Sequence, residues 1–229
     1  MPPLLRLPLD FPRPAKPSFQ GRRHQLHLSA ISSEALRKLA FSESATLFSA
    51  TLSALQALLF RYTGQDDFCI GSTVSNRDRE ETRHLIGLFV NNVVFRCHPE
   101  KDWSFRTWLQ QTHATVVGGL SHQQVPFERV VDILKIDRQL NHNPLFQVQF
   151  ILRTGESNPP LPHNSLQLEA LIPEHTTSRF DLSLELAETP DGLQGFWEYS
   201  SDIFSPSTIQ RMSEHPVSYT HLTLPTRLS

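Results

Sequence analysis

A mixed α/β fold built on a partly open sheet is the class this sequence predicts, and three observations point to it. Leu47, Thr51, Ala54, Leu55, Leu58 and Leu59 recur at helical spacing over residues 46–62. Phe180, Leu182, Leu184 and Leu186 alternate with polar residues, the period-two signature of a half-buried strand. Helix-like and strand-like runs interleave along the rest of the chain, and no internal repeat is visible.

Taken in order, residues 1–23 are rich in proline and arginine (Pro2, Pro3, Pro8, Pro12, Pro14 and Pro17) and read as an extended linker lying over a surface. Gln25 to Leu28 reads as a short strand. Ser32 or Ser33 caps a helix to about Phe41, with Glu34 in its first turn. The helix over 46–62 stops at Gly64, and Phe48, Leu52 and Phe60 outside its apolar stripe bury it on most sides. Phe68 to Val74 and Leu88 to Arg96 read as strands joined by a polar loop, Ser75 to His84. Asp102 or Ser104 caps a helix to about Val117, ended by Gly118-Gly119. Pro126 opens a helix carrying Phe127, Val130, Val131 and Leu134. Phe146 to Leu152 is a strand, and Thr189-Pro190-Asp191-Gly192 turns the 180–186 strand back as a hairpin with Leu193 to Tyr199.

Composition bounds the partners. The 229 residues carry 21 Lys+Arg against 23 Asp+Glu, a formal charge of −2, so nothing gathers phosphate backbones or anionic lipids, and neither nucleic acid nor a membrane surface is an expected partner. The most apolar window, Thr46 to Phe60, is broken by polar residues and shorter than the roughly 20 residues of a bilayer span. Two cysteines, Cys69 and Cys97, form no CxxC pair, which disfavours a disulfide scaffold or a structural zinc and fits a reduced, cytoplasmic protein.

Eleven histidines invite catalytic readings. His24 and His27 flank a strand and read as surface polar residues, and His113 as a solvated helix face. No HExxH, GxSxG, GxGxxG or GxxxxGK[ST] occurs, so zinc hydrolysis, the common serine-hydrolase layout and nucleotide binding have no anchor. Three polar clusters interrupt apolar segments. Asn91-Asn92 stands inside LFVNNVVFR, where asparagine is disfavoured; its amides either line a substrate channel or are satisfied by backbone at a bulge or edge. His122-Gln123-Gln124 precedes a proline-started helix, and Asn141-His142-Asn143-Pro144 precedes an apolar strand.

Together these clusters resemble the C-terminal half of a condensation domain of nonribosomal peptide synthetases. Tyr62 to Phe68, YTGQDDF, resembles the family's Y(S/T)GQ(E/D)D, and Gly71 to Arg77, GSTVSNR, its G(T/S)xVxxR continuation. Ile86 to Asn92, IGLFVNN, resembles IGxFVNT. His122 to Glu128, HQQVPFE, resembles HQDxPFE with Gln124 in place of aspartate. Arg138 to Gln147, RQLNHNPLFQ, resembles RDxSRNPLFQ, departing at Gln139, Asn141 and His142, and Leu7 to Pro14, LPLDFPRP, resembles the linker LPTDRPRP.

The resemblance implies a chloramphenicol-acetyltransferase-like lobe, an α/β mixed sheet flanked by helices and forming half of a two-lobed domain around a tunnel. Residues 1–23 would be the interlobe linker and 24–215 the C-terminal lobe. The family joins a donor acyl group to an acceptor amine. Both ride as thioesters on phosphopantetheine arms of carrier proteins, so no cofactor is bound directly. Its catalysis centres on HHxxxDG in the N-terminal lobe, and this chain has neither that motif nor an adjacent histidine pair. The expected partners are therefore that missing lobe, carrier proteins and a neighbouring adenylation domain, with Met1 an internal codon and the chain alone inactive. By family matching Arg77 pairs with the missing aspartate, against the plainer reading of a surface arginine beside Asp78. Asn143 would be a second support, Asn91, Asn92, His122 and Gln123 would line the tunnel, and residues 180–203 would supply a strand pair crossing to the other lobe. Val217 to about Thr226, VSYTHLTLPT, resembles a translated sequencing adaptor, which would make 216–229 a non-native tail. Two other readings stand beside this one. One is a non-catalytic module that docks carriers or complements an N-terminal lobe. The other is an epimerization domain, against which HQQVPFE and NPLFQ argue.

Overall fold

The computed structural model describes residues 4–77, 79–136, 141–154 and 176–222. Six strands among these residues form one mixed sheet: β1 (Gly21–Ser29), β2 (Phe68–Val74), β3 (Asn91–Cys97), β4 (Val148–Arg153), β5 (Leu182–Thr189) and β6 (Gly192–Ser200). Their order is β1-β6-β5-β4-β2-β3, with β4 parallel to both β2 and β5 and the remaining pairs antiparallel. Among the described residues six helices accompany them: α1 (Ala30–Ser42), α2 (Leu47–Thr63), α3 (Glu80–Arg83), α4 (Phe105–Leu120), α5 (Phe127–Ile133) and α6 (Pro206–Leu222). The predicted α/β class, a mixed sheet flanked by helices, is what the chain adopts.

The sheet has two unlike faces. Leu26, Leu28, Phe68, Ile70, Val93, Phe95, Val148, Phe150, Leu184 and Trp197 point to one, where α1, α2, α4 and α6 add Leu36, Leu52, Leu58, Leu109, Ile209 and Met212 to form the main core. Gln56 of α2 carries polarity into this core at no cost in unpaired groups. Its Oε1 accepts from Trp108 Nε1 at 3.0 Å and Thr112 Oγ1 at 2.6 Å, fastening α2 to α4. The other face carries a smaller cluster: Cys69, Val131, Leu145 and Phe146, with Phe127, Val130 and Phe180 against them.

Several local expectations are corrected. Ser29, not Ser32 or Ser33, caps α1 by accepting from Ser32 N–H at 3.3 Å. Glu34 therefore lies past the first turn, where it pairs with Arg37 at 2.5 Å. Gly118-Gly119 does not end α4, which runs to Leu120. A Cβ at Gly119 would sit 2.8 Å from the Phe95 ring, so the residue's smallness lets α4 approach β3 and its helix-breaking tendency is overridden by packing. Gly64 does stop α2, with φ of 66° in the left-handed region. The loop 75–84 contains α3, and the strand expected from Leu88 begins at Asn91. β4 begins at Val148 instead of Phe146, and β1 extends well beyond Gln25–Leu28. The 180–203 strand pair is not an arm crossing to another lobe: β5 and β6 are interior strands of the sheet. His113 is half-buried, its Nδ1 3.0 Å from Ser49 Oγ.

The proline-rich start is more than a linker. Leu5 and Leu7 are buried in the main core, and Leu5 N–H donates to Gln147 Oε1 at 3.1 Å. Asp10 accepts from Ser205 N–H at 2.8 Å and Thr208 Oγ1 at 2.8 Å at the start of α6. Those bonds hold its carboxyl below the usual range although burial pushes the other way. The backbone of residues 216–222 continues α6, while 223–229 of the expected tail lie outside the described residues, as do Arg138–Leu140 of the RQLNHNPLFQ segment.

Candidate functional site

Charged and amide side chains collect on the sheet face that the main helices leave uncovered, and the candidate residues divide between the two ends of that sheet. Arg77 follows β2 and Asn91 opens β3, so both stand at one end. Asn143 precedes β4, which runs parallel to β2, and so stands at the opposite end. A strand rises about 3.3 Å per residue, so the length of β2 separates them. The structure brings Asn91, His122 and Gln123 together but does not bring Asn143 to Arg77.

Asn91 is satisfied by backbone. Its Nδ2 donates to Gln123 O and to Val125 O, each at 2.7 Å, and its Oδ1 accepts from Phe127 N–H at 3.1 Å. One side chain thus clips the whole HQQVPF segment to the sheet edge and sets the first turn of α5. Asn92 belongs to a different network: its Oδ1 accepts from Thr73 Oγ1 at 3.2 Å, and Thr73 Oγ1 accepts from Gln149 Nε2 at 3.0 Å. His122 is exposed, its Nδ1 3.0 Å from Gly118 O and 2.9 Å from Ser121 Oγ. That contact with a carbonyl requires a proton on Nδ1.

Arg77 organises the loop before β3. Its Nη1 donates to Thr82 O and, at 2.8 Å, to Leu85 O; its Nη2 donates to Gly87 O at 3.2 Å. The guanidinium lies 4.4 Å from the centre of the Phe89 ring. Nε–H and the second Nη2 hydrogen make no hydrogen bond among the described residues, so a carboxylate can still be met while the loop is held. Asp78 lies outside the described residues.

At the far end, Asn143 Nδ2 donates to Arg179 O at 3.2 Å and Asn143 O accepts from Gln147 Nε2 at 3.1 Å. It lines a cavity of about 200 Å³ with Arg13, Asn141, His142, Phe180 and Asp181. Arg13 meets Asp181 through both guanidinium nitrogens and also donates to Asn141 O at 3.2 Å. The carboxylate holds the Arg13 guanidinium above its already high range. Sequence reasoning missed Arg13, Asp181, Thr73, Gln149 and Ser183. Ser183 was visible only as a polar place in an alternating strand, and nothing local marks Arg13 among its neighbouring prolines.

Among the described residues no three His, Cys, Asp or Glu side chains are placed to hold a metal ion. Burial pushes the Cys69 thiol up to about 11 and raises Cys97 also, so neither is a thiolate nucleophile at neutral pH. No helix among the described residues is long and apolar enough to cross a membrane.

Known proteins resemble the chain along nearly all of it. The family profile described as Condensation domain matches residues 2–224. A linear gramicidin synthase of Brevibacillus parabrevis is 41% identical over 218 residues, covering 93% of this chain and 3% of that protein. A phosphinothricin tripeptide synthetase of Streptomyces viridochromogenes is 40% identical over 220 residues, covering 93% of this chain and 20% of the other. Among solved structures, a four-domain nonribosomal peptide synthetase bound to AMP and glycine superposes with TM-score 0.84 at 25% identity, over 96% of this chain and 18% of that one. The X-domain from teicoplanin biosynthesis shares the fold with TM-score 0.87 at 24% identity, over 99% of this chain and 53% of its own. The chain thus spans a small part of the curated relatives and about half of the X-domain structure.

Proposed function

This chain belongs to the condensation-domain family, and we propose that it is the C-terminal lobe of a domain that joins a carrier-bound acyl or peptidyl donor to a carrier-bound aminoacyl acceptor. In that reaction the acceptor amine attacks the donor thioester carbonyl. The C–N bond forms, the C–S bond breaks, the donor arm leaves as a thiol, and the amine proton passes to a base. The observation that carries this reading is the match of the Condensation domain profile to residues 2–224, within which the motif-like segments between Leu7 and Gln147 fall in order. Three of those motifs converge at one sheet end: Arg77 holds the loop leading into IGLFVNN, and Asn91 of that motif holds HQQVPFE.

The base is not on this chain, which lacks HHxxxDG. It comes with the other lobe, whose aspartate takes the two Arg77 hydrogens left over from the loop. Carrier proteins with their phosphopantetheine arms, and an adenylation domain of the parent synthetase, are the remaining partners, all in the cytoplasm. Asn143 acts from the other end, holding the 141–147 turn that carries Gln147 to Leu5 of the N-terminal segment.

The test is a condensation assay with two loaded carriers, run beside calorimetry of carrier binding. The expected result is no turnover by this chain alone and turnover when an N-terminal lobe is supplied. Turnover by the isolated chain would sink the half-domain reading. Carrier binding with no turnover even after supplying that lobe would leave a docking module instead.

A further inference from the structure

Each strand carries a polar side chain on the sheet face opposite the main helices, in a row that steps by two residues between β4 and β2, where Gly71 is the register partner of Gln149. Asn92 on β3 lies opposite Thr73 on β2, Gln149 on β4 opposite Ser183 on β5, Ser183 opposite Glu198 on β6, and Glu198 opposite Arg23 on β1. Thr73 Oγ1 bonds Gln149 Nε2, bridging the β2–β4 step of the line. At its two ends the row's side chains bond to one another. Thr73 gives its proton to Asn92 and accepts from Gln149 Nε2, while Arg23 forks onto Glu198 Oε2 at 3.1 and 3.3 Å. The middle differs. Ser183 is only 7% exposed, yet its Oγ has no hydrogen-bond partner among the described residues. Leu182 and Leu184 face the main core, so Ser183 faces the opposite side. Beside it Gln149 is fixed with its Nε2 toward Thr73, which leaves its Oε1 without a partner among the described residues.

We propose that Gln149 and Ser183 are substrate-positioning residues that receive a neutral amide of the donor or acceptor chain, an inference that rests on the condensation reading. The unsatisfied pair offers one acceptor and one hydroxyl on neighbouring strands, which matches the N–H and C=O of an amide. Charge selects against ionic groups. The flanking charges are already paired, Arg23 with Glu198 and Arg153 with Glu185 at 2.7 Å, so each of these four charges already has its counter-ion. A buried hydroxyl left unpaired is unfavourable for folding, and such groups are retained where a ligand completes them.

The test titrates the isotope-labelled full chain with N-acetylglycine N-methylamide, followed by amide proton–nitrogen spectra. Methyl acetoxyacetate, of the same shape but with no N–H, is the control. The diamide is expected to shift the Gln149 side-chain amide and the Ser183 backbone N–H saturably, and the diester to shift neither. Gln149→Leu and Ser183→Ala each weaken the diamide roughly five-fold or more. Ser183→Ala should also raise the melting temperature, because it removes an unpaired polar group. The site is overturned by an absent shift, by equal shifts with the diester, or by a lowered melting temperature for Ser183→Ala. If carriers fail to bind while the diamide titration succeeds, the condensation reading falls and the amide site stands. If carriers bind and the diamide does not, only the site falls.

Discussion

Asn91 uses both of its amide hydrogens and its carbonyl oxygen on a segment more than thirty residues away, with partners at 2.7 to 3.1 Å. Asn91→Ala leaves the Phe127 N–H and two carbonyls without that partner. It should lower unfolding stability by about 1–3 kcal/mol in urea titration, with faster amide exchange at residues 123–127. Asp67 makes a pH prediction. Arg96 forks onto its carboxylate at 2.7 and 2.8 Å, and that hydrogen bond holds the carboxyl below its usual 3.8 against the opposing effect of burial. A lowered carboxyl favours the fold at pH values above its unfolded pKa, and the benefit is lost as pH falls through the folded one. The melting-temperature difference between wild type and Asp67→Asn should therefore hold steady at neutral pH and shrink below about pH 4. Because Arg96 is largely exposed, the free-energy difference behind it stays within about 1 kcal/mol.

At the scale of the element, the N-terminal strap is where sequence and structure part most. Prolines and arginines dominate residues 1–23 and read as a linker, but Leu5 and Leu7 are two residues apart and reach the core on one side of an extended segment. Two leucines are too few to show a period, and burial in an extended strap has no local signature. Leu5→Ala should cost about 2–5 kcal/mol, read as a lower denaturant midpoint; a free linker would tolerate it without change. By contrast the helix over 46–62, the 68–74 strand and the 189–192 turn were legible, since their periods and stop signals agree with the packing they meet. Asn91 and Asn92 were visible as misplaced polar residues. What they bond could not be read, because each partner is set by the fold: distant chain segments for Asn91, a neighbouring strand for Asn92.

For the molecule as a whole, the loop that Arg77 holds displays apolar side chains to solvent: Ile86 and Leu88 are almost wholly exposed, and Leu85 and Val90 more than half. Such a patch favours association. Residues 1–215 alone should be poorly soluble, and Ile86→Ser with Leu88→Ser should reduce self-association in sedimentation velocity without lowering the melting temperature. A monomeric, freely soluble wild-type chain would contradict this.

The strand order has a further consequence, for synthesis. Among the described residues β1 finds its only strand partner in β6, and Leu193 N–H closes onto Ser33 Oγ across 160 residues of chain. At translation rates of about 5–20 residues per second, β1 leaves the ribosome roughly 10–30 s before its partner exists. During that interval its backbone edge is bare, and contacts this distant make closure slow once they become available. A nascent chain stalled before residue 192 would therefore carry β1 without its strand partner and β5 paired to β4 but open on its other edge, and should be captured by chaperones, whereas release a few residues beyond Ser200 lets a single strand seal both edges.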